Sequence, residues 1–186
     1  MVEAGYLDCK WLDVYALANR LKNANHAINK VNYFTSRVNN NFEKQQRQNA
    51  YIDALLTTQI ALIQGQFRSE WMKCGNCGGG WYDSKEKMTD VNIATHMIID
   101  AYKEEYDVAF LISGDSDLVP PVREIRNLFP QKEIIIVFPP ERKSNELKSV
   151  ASSSFALGHK KLQECQFQQV VIDKYGKKIT KPGTWK

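Results

Sequence analysis

The sequence predicts an α/β protein, a three-layer α/β/α sandwich around a mostly parallel sheet. Two continuous apolar runs, YDVAFLISG at residues 106–114 and EIIIVF at residues 133–138, are typical of strands covered on both faces. Helical patterns alternate with the predicted strands, which favours right-handed crossovers between parallel strands. At 186 residues the chain has the size of one compact domain.

The first third of the chain predicts a β-α-β unit preceded by a helix. Residues 11–24 have apolar positions at helical spacing, with Asp13 as a candidate cap. Residues 31–38 are rich in β-branched and aromatic side chains and predict a strand. A helix over residues 42–57 and a strand over residues 60–67 complete the unit.

The middle of the chain predicts a loop and then a helix. Residues 73–84, KCGNCGGGWYDS, contain so many glycines that we expect no regular structure there. Residues 89–105 predict a helix, with Thr89 as its cap. Its expected buried stripe comprises Ile93, Ala94, Met97, Ile98 and Ala101.

After the strand at residues 106–114, PPVREIRNLF at residues 120–129 predicts a helix with prolines in its first turn. Residues 144–164 are helical in pattern. We therefore assign residues 1–164 to one α/β domain. Residues 165–186 are expected to form a terminal hairpin or a basic tail.

Composition excludes several classes of protein. No apolar run approaches the ~18 residues of a membrane helix, and no secretory signal is evident at the N-terminus. The four cysteines are too few and too scattered for a secreted disulfide scaffold. We expect a cytoplasmic protein with reduced thiols. The net charge of +4 permits a polyanionic partner, although a solvated basic tail explains it equally well.

A candidate site follows the most apolar strand, in SGDSD at residues 113–117. Ligands of open α/β sheets bind at the carboxyl ends of the strands. Asp115 and Asp117 are two residues apart and point to one side if the chain stays extended, while Gly114 permits a tight turn. These hard oxygen ligands suit Mg²⁺ or Mn²⁺. The alternative is that Ser116 or Asp117 only caps the next helix.

Asp90 is expected to converge on this loop. The helix that it opens runs back along the sheet, so its first turn should lie at the same edge as Asp115 and Asp117. Helical spacing aligns Asp90 with the apolar stripe and predicts that it faces the sheet. Acids converging at a core edge need a cation or a hydrogen-bond network to compensate for them, and a divalent metal site is the simplest explanation. The alternative is an interaction with the helix dipole, worth about 0.3–1 kcal/mol.

These motifs carry a family resemblance. EKMTDVNIATHMI at residues 86–98 and DVAFLISGDSDLVPPV at residues 107–122 resemble the NYN domain of the PIN-like nuclease superfamily, in particular its bacterial LabA-like branch. Further matches in order and spacing are found at residues 10–18, 33–38 and 46–55. The resemblance implies a divalent-metal-dependent ribonuclease, an endonuclease of single-stranded RNA, with metal ligands at Asp90, Asp115 and Asp117.

The resemblance also suggests supporting residues. Ser113 and Ser116 would assist the metal or the phosphate from the same loop. Lys87, which follows Glu86 in the family's Glu-Lys pair, would offset phosphate charge, although an exposed ion-pairing turn is an equal alternative. Apart from the resemblance, Arg37, at the end of its predicted strand, and Lys85 are candidates for phosphate contact, although scattered surface charge is an equal alternative.

One part of the family pattern is missing. Relatives open with a strand carrying an Asp-Gly-x-Asn-like motif that supplies another metal ligand, and this sequence resembles the segment that normally comes just after that motif. Loss of a central strand would leave two unpaired edges in a parallel sheet. A second hypothesis is therefore a catalytically weakened domain that binds RNA without cutting it.

The glycine-rich segment supports a third hypothesis. Cys74 and Cys77 have the spacing of half a zinc site. The histidines of the chain are candidates to complete it, although each is more simply a surface or helix histidine: His26, His96 and His159. A zinc ion shared between two subunits of a homodimer is another way to complete it. Trp71, Trp81 and Tyr82 would serve as exposed anchors of a protein-interaction module. The same aromatic rings suit stacking on RNA bases equally well, and a third alternative is that they simply cover the sheet.

Overall fold

The computed structural model describes residues 7–38 and 41–185. A 3-10 helix at Leu7–Cys9 leads into the regular elements. Those of the first half are α1 (Val14–Leu21), β1 (Asn32–Thr35), α2 (Phe42–Leu55), β2 (Ala61–Gln64), β3 (Gln66–Lys73), β4 (Gly80–Lys87) and α3 (Thr89–Tyr102). Asp13 caps α1 as predicted, since its side chain accepts a hydrogen bond from the backbone N–H of Ala16 at 2.9 Å.

The second half alternates strands and helices. Its elements are β5 (Val108–Ile112), α4 (Val119–Leu128), β6 (Glu133–Phe138), α5 (Asn145–Val150), β7 (Ser153–Ala156), α6 (His159–Glu164), β8 (Val170–Ile172) and β9 (Lys178–Thr180). The predicted bounds of β6 are confirmed, and the prolines lie in the first turn of α4 as expected.

Parallel strands form two half-sheets. One consists of β1 and β2, and the other has the order β5-β6-β7. Within the described residues no backbone pairing joins β1 to β5, so each half-sheet keeps an unpaired edge. Two antiparallel hairpins, β3–β4 and β8–β9, complete the structure.

Strand β6 lies between two layers of helices. Ile134, Ile136 and Phe138 belong to a core cluster that includes residues of α3, α4 and α5. Val137 belongs to a second cluster, which includes residues of α1 and α6. Because successive side chains of a strand point to opposite faces, helices cover both sides of this half-sheet. The predicted α/β class with a parallel sheet is confirmed.

Helix α3 connects the two half-sheets. Its first turn approaches the end of β1, where Ser36 Oγ and Thr89 Oγ1 are 3.5 Å apart. Its last turn lies at the start of β1, where Asp100 accepts hydrogen bonds from Lys30 Nζ at 2.8 Å and Asn32 Nδ2 at 3.3 Å. The helix is therefore antiparallel to β1. Ala101 of the same helix is buried in the core with β5 and β6.

Two helix predictions were wrong in part. Residues 144–164 are not one helix, because strand β7 separates α5 from α6 and pairs with β6. Thr89 does not cap α3. The N-cap is Met88, in a left-handed conformation at φ 75°, and it makes no side-chain capping bond. Ile98, expected in the buried stripe, is 39% exposed, whereas Ala101 of the same predicted stripe is buried.

The prediction of an irregular segment at residues 73–84 was also wrong. Its second half is strand β4, which pairs along its whole length with β3. Only residues 74–79 form the connecting turn. The predicted strand at residues 60–67 is divided between β2 and the start of this hairpin. Trp71 packs over Gly80 and stabilises the pairing at a position with no side chain of its own.

The C-terminal segment ends in the β8–β9 hairpin and packs on the domain. Ile179 is buried in a third cluster with Trp11 and Ala54, and Trp185 lies at its margin. The indole N–H of Trp11 donates to the carbonyl of Gln168 at 2.9 Å. In the described part of the chain, no helix has both the length and the apolarity to cross a membrane.

Replacing Asp100 by Asn should destabilise the fold by about 1–2 kcal/mol. The substitution removes a charged acceptor from a carboxyl group that is buried against Lys30, and hydrogen bonds to charged groups are stronger than neutral ones. Urea unfolding of Asp100→Asn measures the loss. Asp53→Asn is the matched control, because the exposed Asp53–Lys177 pair should contribute little. Equal stability of both variants would contradict a special role for Asp100.

Candidate metal centre at the carboxyl edge of the sheet

The loop after β5 presents two aspartates at the carboxyl end of the strand. The backbone N–H of Asp115 donates to Ser113 Oγ at 3.1 Å, and that of Asp117 donates to Asp115 Oδ1 at 3.0 Å. Asp115 thereby caps a 3-10 helix, Ser116–Leu118, that continues into α4. The capping role predicted for Ser116 or Asp117 belongs to Asp115.

The remaining carboxylate oxygens of this loop face solvent. Asp115 and Asp117 are both exposed. Within the described residues, Asp115 Oδ2 and the Asp117 carboxylate form no hydrogen bond or ion pair. Two negative groups two residues apart, without a neutralising partner, have the donor chemistry that Mg²⁺ or Mn²⁺ requires.

Gly114 brings a second loop against this one. A Cβ at Gly114 would lie 2.9 Å from Cβ of Arg142 and 3.1 Å from its carbonyl oxygen. Arg142 follows the carboxyl end of β6, in a turn where its N–H donates to the carbonyl of Pro139 at 3.2 Å. Sequence reasoning missed Arg142, because no local pattern indicates that its loop meets residues 113–117.

Gly65 fixes the first turn of α3 at the same edge. A Cβ there would lie 2.4 Å from Ser36 Oγ, 2.9 Å from the carbonyl oxygen of Lys87 and 2.9 Å from Thr89 Oγ1. Only glycine leaves room for these three groups at the end of β2. The first turn of α3, which contains Asp90, is therefore anchored beside the carboxyl ends of β1 and β2.

Asp90 occupies the expected edge but not the expected environment. The prediction that it faces the sheet is wrong, because its side chain is exposed. Helix α3 packs against the 3-10 helix Ser116–Leu118, so both acidic segments border one region. Burial therefore does not support a bound cation at Asp90. The support that remains is the position of Asp90 at the edge of the sheet.

The three predicted acids do not converge on one point. Among the described residues, the one set of three acidic, cysteine or histidine side chains with all ligand atoms within 4.8 Å is Asp8, Cys9 and His159. Asp90, Asp115 and Asp117 are thus at the same edge without forming a closed set of ligands. Their hard oxygen donors fit Mg²⁺ or Mn²⁺ in chemistry.

The cluster of Asp8, Cys9 and His159 has the features of a structural contact. The Asp8 carboxylate lies 2.9 Å from His159 Nε2 and accepts a hydrogen bond from Gln163 Nε2 at 2.9 Å. The Gln163 bond, with help from His159, holds the pKa of Asp8 below its usual value. Burial raises the pKa of the Cys9 thiol to about 11, so the sulfur stays protonated. These bonds join the first 3-10 helix to α6.

The predicted phosphate contacts border the acidic edge only in part. Arg37, just beyond β1, is exposed and donates to Asn49 Oδ1 of α2 at 2.9 Å. Lys87 is exposed at the end of β4, and its carbonyl lies beside Gly65. Ser113 and Ser116 lie in the acidic loop itself. The side chains of Lys85 and Glu86 lie outside the described part of the structure.

The fold is a parallel α/β sandwich with an acidic loop at the carboxyl edge of its sheet, and comparison identifies the family. The chain belongs to the NYN domain family, whose model matches residues 3–158. This family is part of the PIN-like nuclease superfamily. No curated protein matches the sequence. A crystal structure of a Vibrio parahaemolyticus RIMD 2210633 protein of unknown function is similar in fold, with 17% identity, 79% of each chain covered and a TM-score of 0.51.

Replacing Gly65 by Ala should destabilise the protein by about 1–3 kcal/mol, as overpacking usually does. The new methyl group would overlap Ser36 and Thr89 and push α3 away from the half-sheet. Urea unfolding measures the change. Gly75→Ala is the control, because a Cβ at Gly75 meets nothing within 4 Å. Equal stability of the two variants would show that the α3 anchor adapts freely.

Proposed function

We propose that this protein is a divalent-metal-dependent ribonuclease that hydrolyses single-stranded RNA internally, with Asp90, Asp115 and Asp117 as metal ligands. The observation that carries the proposal is the pair of unneutralised carboxylates, Asp115 and Asp117, at the carboxyl edge of an NYN domain. NYN nuclease domains act on RNA. The position of Asp90 at the same edge supports its inclusion.

The metal in this proposal is Mg²⁺ or Mn²⁺, which both prefer carboxylate oxygens. When bound, such an ion activates water and stabilises the leaving oxygen of the phosphodiester. The residues of the chain would hold the ion and attract the substrate. Asp115 holds the loop in shape through its capping Oδ1 and keeps Oδ2 for the ion. Arg142, which lies against Gly114, attracts the RNA phosphate to the edge.

A further parallel strand between β1 and β5 is part of the proposal. Both strands have an unpaired edge, and both start at the same side, since α3 is antiparallel to β1 and ends six residues before β5. A strand in this position would join the half-sheets through backbone hydrogen bonds. An acidic residue at its carboxyl end would supply a further carboxylate beside Asp90, Asp115 and Asp117.

The proposal also includes the branch of the NYN family and the cellular compartment of the protein. The resemblance of residues 86–98 and 107–122 to LabA-like proteins favours that branch of the family. A cytoplasmic location is favoured by the four cysteines, which are all free thiols.

Asp115→Asn should reduce Mn²⁺-dependent cleavage of single-stranded RNA by about 10²–10³-fold, as loss of an electrostatic transition-state contact typically does. Asn remains a good N-cap, so the substitution removes the charge and preserves the loop. Cleavage of a fluorescently labelled RNA measures the effect. Asp107→Asn, at the opposite end of β5, is the matched control and should cleave normally.

The same assay tests the proposed strand when the chain is compared with a version extended upstream in its gene. Greater cleavage by the extended version, lost on Asp115→Asn, supports a strand that completes the metal site. Equal activity of the two versions would show that no such strand is needed. Cleavage that survives Asp115→Asn in both versions would refute the ligand role of Asp115.

A second candidate function is RNA binding without cleavage. The observation that favours it is the open arrangement of Asp90, Asp115 and Asp117, which form no common set of ligands. This candidate predicts salt-dependent affinity for RNA, no metal-dependent turnover in either version of the chain, and unchanged binding in Asp115→Asn.

Both candidate functions predict that Arg142 contacts phosphate. Arg142→Ala should weaken binding of unrelated RNA sequences equally and reduce the slope of log affinity against log salt by about 0.7, the value for one contact to a single strand. Fluorescence anisotropy between low and moderate salt measures the slope. Arg20→Ala, which removes a cation paired with Glu164 between α1 and α6, is the control. Identical slopes for Arg142→Ala and the unaltered protein would contradict the contact.

A further inference from the structure

The β3–β4 hairpin projects as an arm, which we define as residues 66–87. Trp71 and Tyr82 lie opposite each other across the two strands, with ring centroids 4.9 Å apart. Trp81 is one residue away along β4 and therefore lies on the other face of the ribbon. These three side chains are 60%, 68% and 52% exposed, respectively. Because both faces carry exposed rings, the outer part of the arm is not covered by the described part of the chain.

The apex of the arm places two cysteines side by side. The N–H of Cys74 donates to the carbonyl of Gly79 at 2.7 Å, and the N–H of Gly78 donates to the carbonyl of Cys74 at 3.0 Å. The backbone N–H groups of Cys77 and Asn76, followed by the Cys77 side chain, hydrogen-bond to the Cys74 sulfur and hold the pKa of its thiol below the usual value. The turn thus brings the two sulfur atoms into contact with each other.

This arrangement is half of a tetrahedral zinc site. Two cysteines separated by two residues supply two of the four ligands that a closed structural site needs, and thiolates suit zinc better than they suit hard cations. Among the described residues, no further side chain joins Cys74 and Cys77 as a third or fourth zinc ligand. Cys9 and Cys165 are buried together in the cluster that joins α1 and α6, and the Asp8–Cys9–His159 set lies there too.

We propose that the arms of two copies of this chain meet at their apices and bind one zinc ion through Cys74 and Cys77 of each copy. A two-fold axis through the ion gives each copy the same role, so the half-site of one arm is completed by the identical half-site of its partner. The four thiols release four protons to solvent as four zinc–sulfur bonds form.

Two features of the arm favour a second copy as the partner. Four thiolates around Zn²⁺ leave a net charge of −2, and the exposed Lys73 beside Cys74 contributes a positive charge from each copy. Trp71, Trp81 and Tyr82 lie close to the apex and form apolar surface that the two arms cover when they meet. This site is independent of Asp90, Asp115 and Asp117, so it does not rest on the proposed nuclease activity.

The test is a zinc titration of the full chain, prepared reduced and free of metal, with the molar mass followed by sedimentation velocity. The mass should double and reach its plateau at one zinc ion per two chains, and EDTA should return it to the starting value. Titration with Co²⁺ should give the thiolate-to-cobalt absorption of a tetrahedral four-sulfur centre.

Substitutions distinguish a zinc site at Cys74 and Cys77 from zinc binding elsewhere on the chain. Cys74→Ser and Cys77→Ser should each abolish both the doubling and the cobalt absorption. Asn76→Ala should retain them, because only the backbone N–H of Asn76 contacts the sulfur. His159→Gln, which alters the Asp8–Cys9–His159 set, should also retain them.

Three results would overturn the proposal. The first is one zinc ion per chain without a change in mass, which would mean that a single copy closes the site. The second is a doubling that persists in Cys74→Ser or without metal. The third is zinc binding by the unaltered chain that is no tighter than binding by Cys74→Ser.

Discussion

The antiparallel packing of α3 against β1 determines which residues can form a site. Contacts at both ends of the helix, from Ser36–Thr89 to Lys30–Asp100, fix its direction along the first half-sheet. Another stripe of α3, which includes Ala101, packs in the core with β5 and β6. One helix therefore orients both half-sheets, although no described backbone hydrogen bond joins them. As a result, the first turn of α3 and the loop after β5 border the same edge.

Much of this arrangement could be predicted from the sequence, because its signals are local. The run EIIIVF predicts β6 with the correct bounds, since a strand between two helical layers is apolar on both faces. Asp13 before α1 and the prolines in α4 mark helix starts in the way that their chemistry requires. The prediction that α3 runs back along the sheet brought Asp90 to the correct edge.

The features that sequence reasoning missed depend on distant contacts. The glycines of the arm predict an irregular segment, yet pairing between Trp71 and Tyr82 makes it a ribbon. Strand β7 is short and rich in serine, and only its pairing with β6 makes it a strand. Asp90 was expected to be buried because it lies on the apolar stripe of α3. The core cluster does not extend as far as this end of the stripe, so the side chain of Asp90 is exposed. Arg142 meets Gly114 across two loops without any local signal.

Hard and soft cations suit different parts of the molecule: carboxylate oxygens at the sheet edge suit Mg²⁺ or Mn²⁺, and the thiols of the arm suit Zn²⁺. The most direct test of the proposed metal centre is a Mn²⁺ titration followed by NMR, because the paramagnetic ion broadens signals of nearby residues. Signals of residues 113–117 and of the first turn of α3 should broaden first, while Asp107 at the other end of β5 stays sharp. Broadening centred on Asp8 and His159, or spread evenly over the exposed acids, would contradict a metal centre at this edge.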